Sequence, residues 1–82
     1  MVLTPIQRQI LHYLQDAIPT RRLVSLETLS EQLHIAPLLL RTTVHAFIQQ
    51  GYIGAQQMPG VMALYLTGPG EAALERERDV SA

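Results

Sequence analysis

Residues 26–53 read LETLSEQLHIAPLLLRTTVHAFIQQGYI, and the punctuation of this stretch decides the architecture around it. Leu26, Leu29 and Leu33 recur at helical spacing as one apolar stripe. Ser25 ahead of them supplies the oxygen an N-cap needs, and Glu27 falls in the first turn, where the helix dipole favours a negative charge. Pro37 opens the next helix, because its missing N–H would have no partner at a first helical position anyway. Leu40, Val44, Phe47 and Ile48 then share an inward face until Gly51 stops the run. Between the two helices lie three residues, His34, Ile35 and Ala36, the length of a tight turn between helices that cross steeply.

Upstream, Thr4, Pro5 and Gln7 form a capping box around a proline start. Ile6, Ile10, Tyr13, Leu14 and Ala17 continue it as one apolar face, which Pro19 ends and which Leu11 and Ile18 widen. Residues 20–24 are partly β-branched and predict a short strand. Downstream the texture changes: no glycine precedes Gly51, and Gly51, Gly54, Gly60, Gly68 and Gly70 then crowd together. Glycine is costly inside helices and favoured in turns, so a hairpin is expected over about 52–67, with Met58, Pro59 and Gly60 between its strands. Thr67 and the acidic residues after it predict a last helix over about 69–78.

With 82 residues there is room for one hydrophobic core, so residues 1–82 are expected to be a single domain. Hydrophobic residues at 48% and charged residues at 16% suit a globular chain rather than a disordered one. Absence of cysteine excludes disulfides, thiolate metal sites and a cysteine nucleophile. No apolar run approaches the ~20 residues that span a bilayer, and a cytoplasmic protein is expected. His12, His34 and His45 lack metal-ligand spacing, no serine sits in a nucleophile turn, and no glycine-rich loop joins a strand to a helix. Neither catalysis nor a cofactor is expected. Net charge is -1, but it is unevenly spread. Before residue 71, Arg8, Arg21, Arg22 and Arg41 outnumber Asp16, Glu27 and Glu31; beyond it Glu71, Glu75, Glu77 and Asp79 outnumber Arg76 and Arg78.

The order helix, short strand, helix, tight turn, helix, hairpin, helix resembles the winged helix-turn-helix regulators of bacteria and archaea, such as the MarR and PadR families. Leu29 and Leu33, Ile35, then Leu40, Val44, Phe47, Gly51 and Ile53 match the two-helix core, and Leu66, Thr67 and Gly70 match the close of the wing. His34 stands where these families normally place glycine, and Ala36 where they place a serine or threonine cap. The resemblance implies a mainly α fold with a small β-hairpin wing, and a small DNA-binding transcriptional regulator that inserts the helix 37–50 into the major groove of double-stranded DNA.

On that helix a hundred degrees per residue sets Leu38, Thr42, His45 and Gln49 opposite Leu40, with Arg41 on the flank. Pro37 at the helix start, Gln57 near the wing tip, and Arg21 and Arg22 before the second helix complete the expected DNA surface. The wing tip carries no positive charge, so two copies are expected to bind together, as a homodimer through the first and last helices, where Leu11, Ile18, Ala72, Ala73 and Leu74 offer apolar surface. An alternative function of another class fits the same chain: a winged-helix protein-interaction module, or a modulator of another regulator, touching its partner through Leu38, Leu39 and the uncharged wing.

Overall fold

Helix-start signals in the sequence are realised side chain by side chain in the computed structural model, which describes residues 3–20 and 23–81. Helix α1 spans Pro5–Ala17, α2 Leu26–Leu33, α3 Pro37–Gln50, and α4 Gly68–Ser81; strands β1, Ile53–Met58, and β2, Val61–Leu66, lie between α3 and α4. The Thr4 hydroxyl oxygen accepts from the Gln7 backbone N–H at 3.2 Å while the Gln7 side chain accepts from the Thr4 N–H at 3.0 Å, the reciprocal capping box. Ser25 caps α2 in the same way, accepting from the Thr28 N–H at 3.2 Å.

The α2–α3 turn is less well furnished. His34 ends α2 in the left-handed region, φ 56° and ψ 44°, where a side chain is unfavourable. Ser30 secures the turn by donating to the Ile35 carbonyl at 2.8 Å. Ala36 begins α3 with no side-chain cap. Replacing it with serine, Ala36→Ser, should therefore add about 1 kcal/mol of stability. Thermal denaturation will read this as a rise of roughly 4–8 °C for a domain of this size.

The hairpin is antiparallel, registered from Ile53 opposite Leu66 to Met58 opposite Val61. Met58 thus belongs to β1, and the turn is two residues, Pro59 and Gly60. Gly60 has φ 78°, and a proline followed by a positive-φ glycine is what a type II turn requires. The short strand expected over 20–24 takes the form of one antiparallel bridge between Val24 and Leu64, with the Leu64 N–H donating to the Val24 carbonyl at 2.7 Å. Arg21 and Arg22, which lie beside it in sequence, are outside the described residues.

The last helix is longer than expected and starts at Gly68. Thr67 explains its start: its hydroxyl oxygen accepts from the Gly70 N–H at 3.1 Å and its proton goes to the Gly51 carbonyl. The tie fastens the end of the wing to the exit of α3.

Helix α1 packs against α4, β2 and α2, while α3 packs against α2 and β1. Leu11 is fully buried, and Ala73 and Leu74 are buried as well. This corrects the expected self-association surface, because those three side chains pack within the core instead of remaining as surplus. Ile18 and Ala72 stay exposed.

The charge balance of the last helix is also altered by packing. Glu77, buried although ionisable, accepts from the Leu3 N–H at 3.2 Å and from Arg8 at 3.1 Å, and the same Arg8 nitrogen donates to the Leu3 carbonyl at 3.3 Å. Glu77→Gln should cost about 1–2 kcal/mol, less than the ~3–5 kcal/mol typical of breaking a wholly buried pair, because Arg8 is 43% exposed and can rehydrate. A lowered urea midpoint with an unchanged slope will register it.

Candidate nucleic-acid interface

Leu40, Val44 and Phe47 are buried, so the helical period turns the opposite face of α3 to solvent. Along it Leu38, Arg41, Thr42, His45, Ala46 and Gln49 are all exposed and recur at three- and four-residue spacing as a single stripe. The structure thus brings together five of the side chains expected at the DNA surface, with Pro37 exposed at the helix start. Gln57 is exposed as well, on β1 near the hairpin turn. Ala46 was missed by residue chemistry, having no polar group, yet its spacing, four residues after Thr42 and eight after Leu38, marks it as part of the stripe.

Hydrogen bonds restrict what the stripe can offer. Thr42 donates its hydroxyl proton to the Leu38 carbonyl at 3.1 Å, and Thr43 donates to the Leu39 carbonyl at 2.9 Å. Toward a partner, these threonines retain oxygen lone pairs and a methyl group. Leu38 is 76% exposed and Leu39 47%. Leu39 is therefore not folded away against α2.

Arg41 is the only charged residue of α3. It borders a cleft of about 260 Å3 whose other walls are Leu26, Glu27, Ser30, Glu31, Pro37 and Leu40. Two carboxylates from α2 thus share its neighbourhood, offsetting part of its field without a described ion pair. Arg8 is committed to Glu77. On the wing, Gln56, Gln57, Pro59 and Gly60 are exposed without charge, and Val61, Met62 and Tyr65 add exposed apolar surface.

Comparison with solved structures gives the arrangement a wider context. The structure superposes on the A103V variant of MepR from a multidrug-resistant S. aureus clinical isolate with a TM-score of 0.85, at 14% identity, covering 95% of this chain and 56% of that one. The fold is a MarR-like winged helix. It is equally recognisable in Bordetella bronchiseptica BpsR, whose DNA binding is regulated by 6-hydroxynicotinic acid, with a TM-score of 0.79, 19% identity and coverage of 96% and 55%. The adhesin competence repressor AdcR of Streptococcus pyogenes matches with a TM-score of 0.75, 16% identity and coverage of 96% and 56%. The chain spans just over half the length of these proteins. No family model and no curated protein matches the sequence. On this winged helix, α2 and α3 are the helix-turn-helix pair, and β1 with β2 forms the wing.

Proposed function

We propose that residues 1–82 are one DNA-binding domain of a transcriptional regulator, which lays α3 in the major groove of double-stranded DNA. The observation that carries the proposal is the continuous exposed stripe of Leu38, Arg41, Thr42, His45, Ala46 and Gln49 on the second helix of the helix-turn-helix pair. The stripe contains no carboxylate and one cation, the polarity that phosphate and base edges accept. DNA binding by BpsR and the repressor role of AdcR, both similar in fold, support the same role. Arg41 serves as the cationic contact, and Gln49 and His45 offer hydrogen-bonding groups to base edges. One such surface is weak in charge, so two chains bind one site, related as a homodimer by contacts on the first and last helices, with exposed Ile18 and Ala72 as the apolar groups still available there.

Anisotropy titration against a random duplex pool, followed by the selected duplex over a salt series, tests this proposal. Binding should weaken with salt, and the complex should contain two chains per duplex. Arg41→Ala should cost about 1–3 kcal/mol concentrated at one base pair if Arg41 reads guanine, or weaken all sequences and reduce the salt slope by about one if it holds phosphate.

A second reading is favoured by one observation, the exposure of Leu38 and Leu39 beside an uncharged wing with exposed Val61, Met62 and Tyr65. In it the same face docks on a protein. Absence of salt-dependent binding to the pool, together with capture of a protein partner that is lost on Leu38→Glu, would decide for that reading.

A further inference from the structure

The chemistry of the α3 stripe is unusual in its proportions. Three of its six members, Leu38, Thr42 and Ala46, stand at successive four-residue intervals and present carbon to the partner. Leu38 and Ala46 have no polar side-chain atom, and Thr42 has committed its proton to the Leu38 carbonyl, leaving no donor for a base acceptor. Eight residues separate the first from the last, about 12 Å along a helix axis, or roughly three to four base-pair steps.

In the major groove, the one apolar feature of a base edge is the C5-methyl group of thymine. Gln49, one turn beyond His45 and two beyond Thr42, carries the amide that pairs in a bidentate manner with adenine. Among the described residues of the stripe, the side chain suited to bidentate pairing with guanine is Arg41, and Glu27 and Glu31 line the same cleft and offset part of its field. With the wing tip uncharged and Arg8 tied to Glu77, little electrostatic attraction remains among the described residues to carry affinity. Within the described stripe, the three side chains that present carbon outnumber the single cation.

Resting on the DNA-binding reading above, we infer that α3 is a thymine-methyl reader: Leu38 and Thr42, with Ala46 allowing close approach, select A·T pairs through the C5-methyl groups. The occupant of the apolar stripe is thus a run of thymines in duplex DNA, not an apolar protein surface.

Deoxyuridine differs from thymidine in the removal of that methyl alone, so it isolates the contact. In the duplex selected from the random pool, each thymine is replaced singly by deoxyuridine, and affinity is measured for the unmodified protein and for Leu38→Ala, a change at an exposed position. Loss of one buried methyl corresponds to about fourfold in affinity. One or two positions should show this loss with the unmodified protein, and at one of them Leu38→Ala should bind thymine and uracil duplexes alike. Installing 5-methylcytosine for cytosine, in a duplex where a G·C pair replaces that A·T pair, should recover part of the loss.

Equal affinity for thymine and uracil at every position would overturn the inference while leaving DNA binding intact. Retention of the full uracil effect by Leu38→Ala would overturn it too, since the methyl would then be felt through duplex shape or by another residue. Failure of every duplex in the pool to bind would overturn the inference together with the DNA-binding reading beneath it.

Discussion

Phe47→Ala should remove about 3–5 kcal/mol of stability, the largest loss expected from any single truncation on α3. Phe47 is 1% exposed and its ring lies 6.0 Å from that of Tyr52, at the junction where α3 gives way to the wing. Its carbonyl also accepts the Tyr52 N–H at 2.9 Å, so the backbone there is held in place and cannot collapse freely into the space vacated. A domain of this length has roughly 4–12 kcal/mol in total, so the variant should sit near the edge of folding at room temperature. Guanidinium denaturation measures the effect. Stability equal to that of the unmodified protein would mean that α3 is rotated from the register described, and the exposed stripe with it.

Gly70→Val should cost about 3 kcal/mol through a different mechanism, overpacking against backbone. A Cβ at Gly70 would run into the Tyr52 carbonyl oxygen and come within 2.6 Å of the Leu66 Cδ1 atom. Leu66 has rotamers to spare, but the Tyr52 carbonyl is already receiving the Thr67 N–H at 3.1 Å and cannot turn aside. Helix α4 must therefore move off the wing base. Gly68→Ala is the control, since nothing lies within 4 Å of a Cβ there and a change of no more than about 0.5 kcal/mol is expected. If thermal melts show equal effects for the two substitutions, the close approach of α4 to Tyr52 is not what holds the helix.

What could be read from the sequence was what short-range chemistry dictates. The Thr4 and Gln7 box, the Ser25 cap, the stop at Gly51 and the inward set Leu40, Val44 and Phe47 all follow from residues within a few positions of one another. Burial of Leu11, Ala73 and Leu74 does not, because it depends on how α4 docks on α1, and apolar spacing alone cannot separate a core face from an interface face. The Arg8 and Glu77 pair joins residues 69 positions apart, and its ends looked like ordinary members of a neutral body and an acidic tail. At the candidate site, the polar members of the stripe were legible as hydrogen-bonding types on one face. Ala46 was hidden by having no chemistry of its own, and the commitment of the Thr42 proton required the helix geometry to be known.

The bond between the Leu3 N–H and Glu77 turns a single amide into a gauge. Its acceptor belongs to a side chain 74 positions away, so that proton is shielded only while α4 is seated against the start of the chain. Amides within α1, by contrast, are held by carbonyls of their own helix and exchange with solvent only when that helix opens. Hydrogen-exchange rates at Leu3, set against those of Ile10 or Leu14, therefore separate undocking of the last helix from global unfolding, residue by residue, in a molecule too small for most probes to distinguish the two.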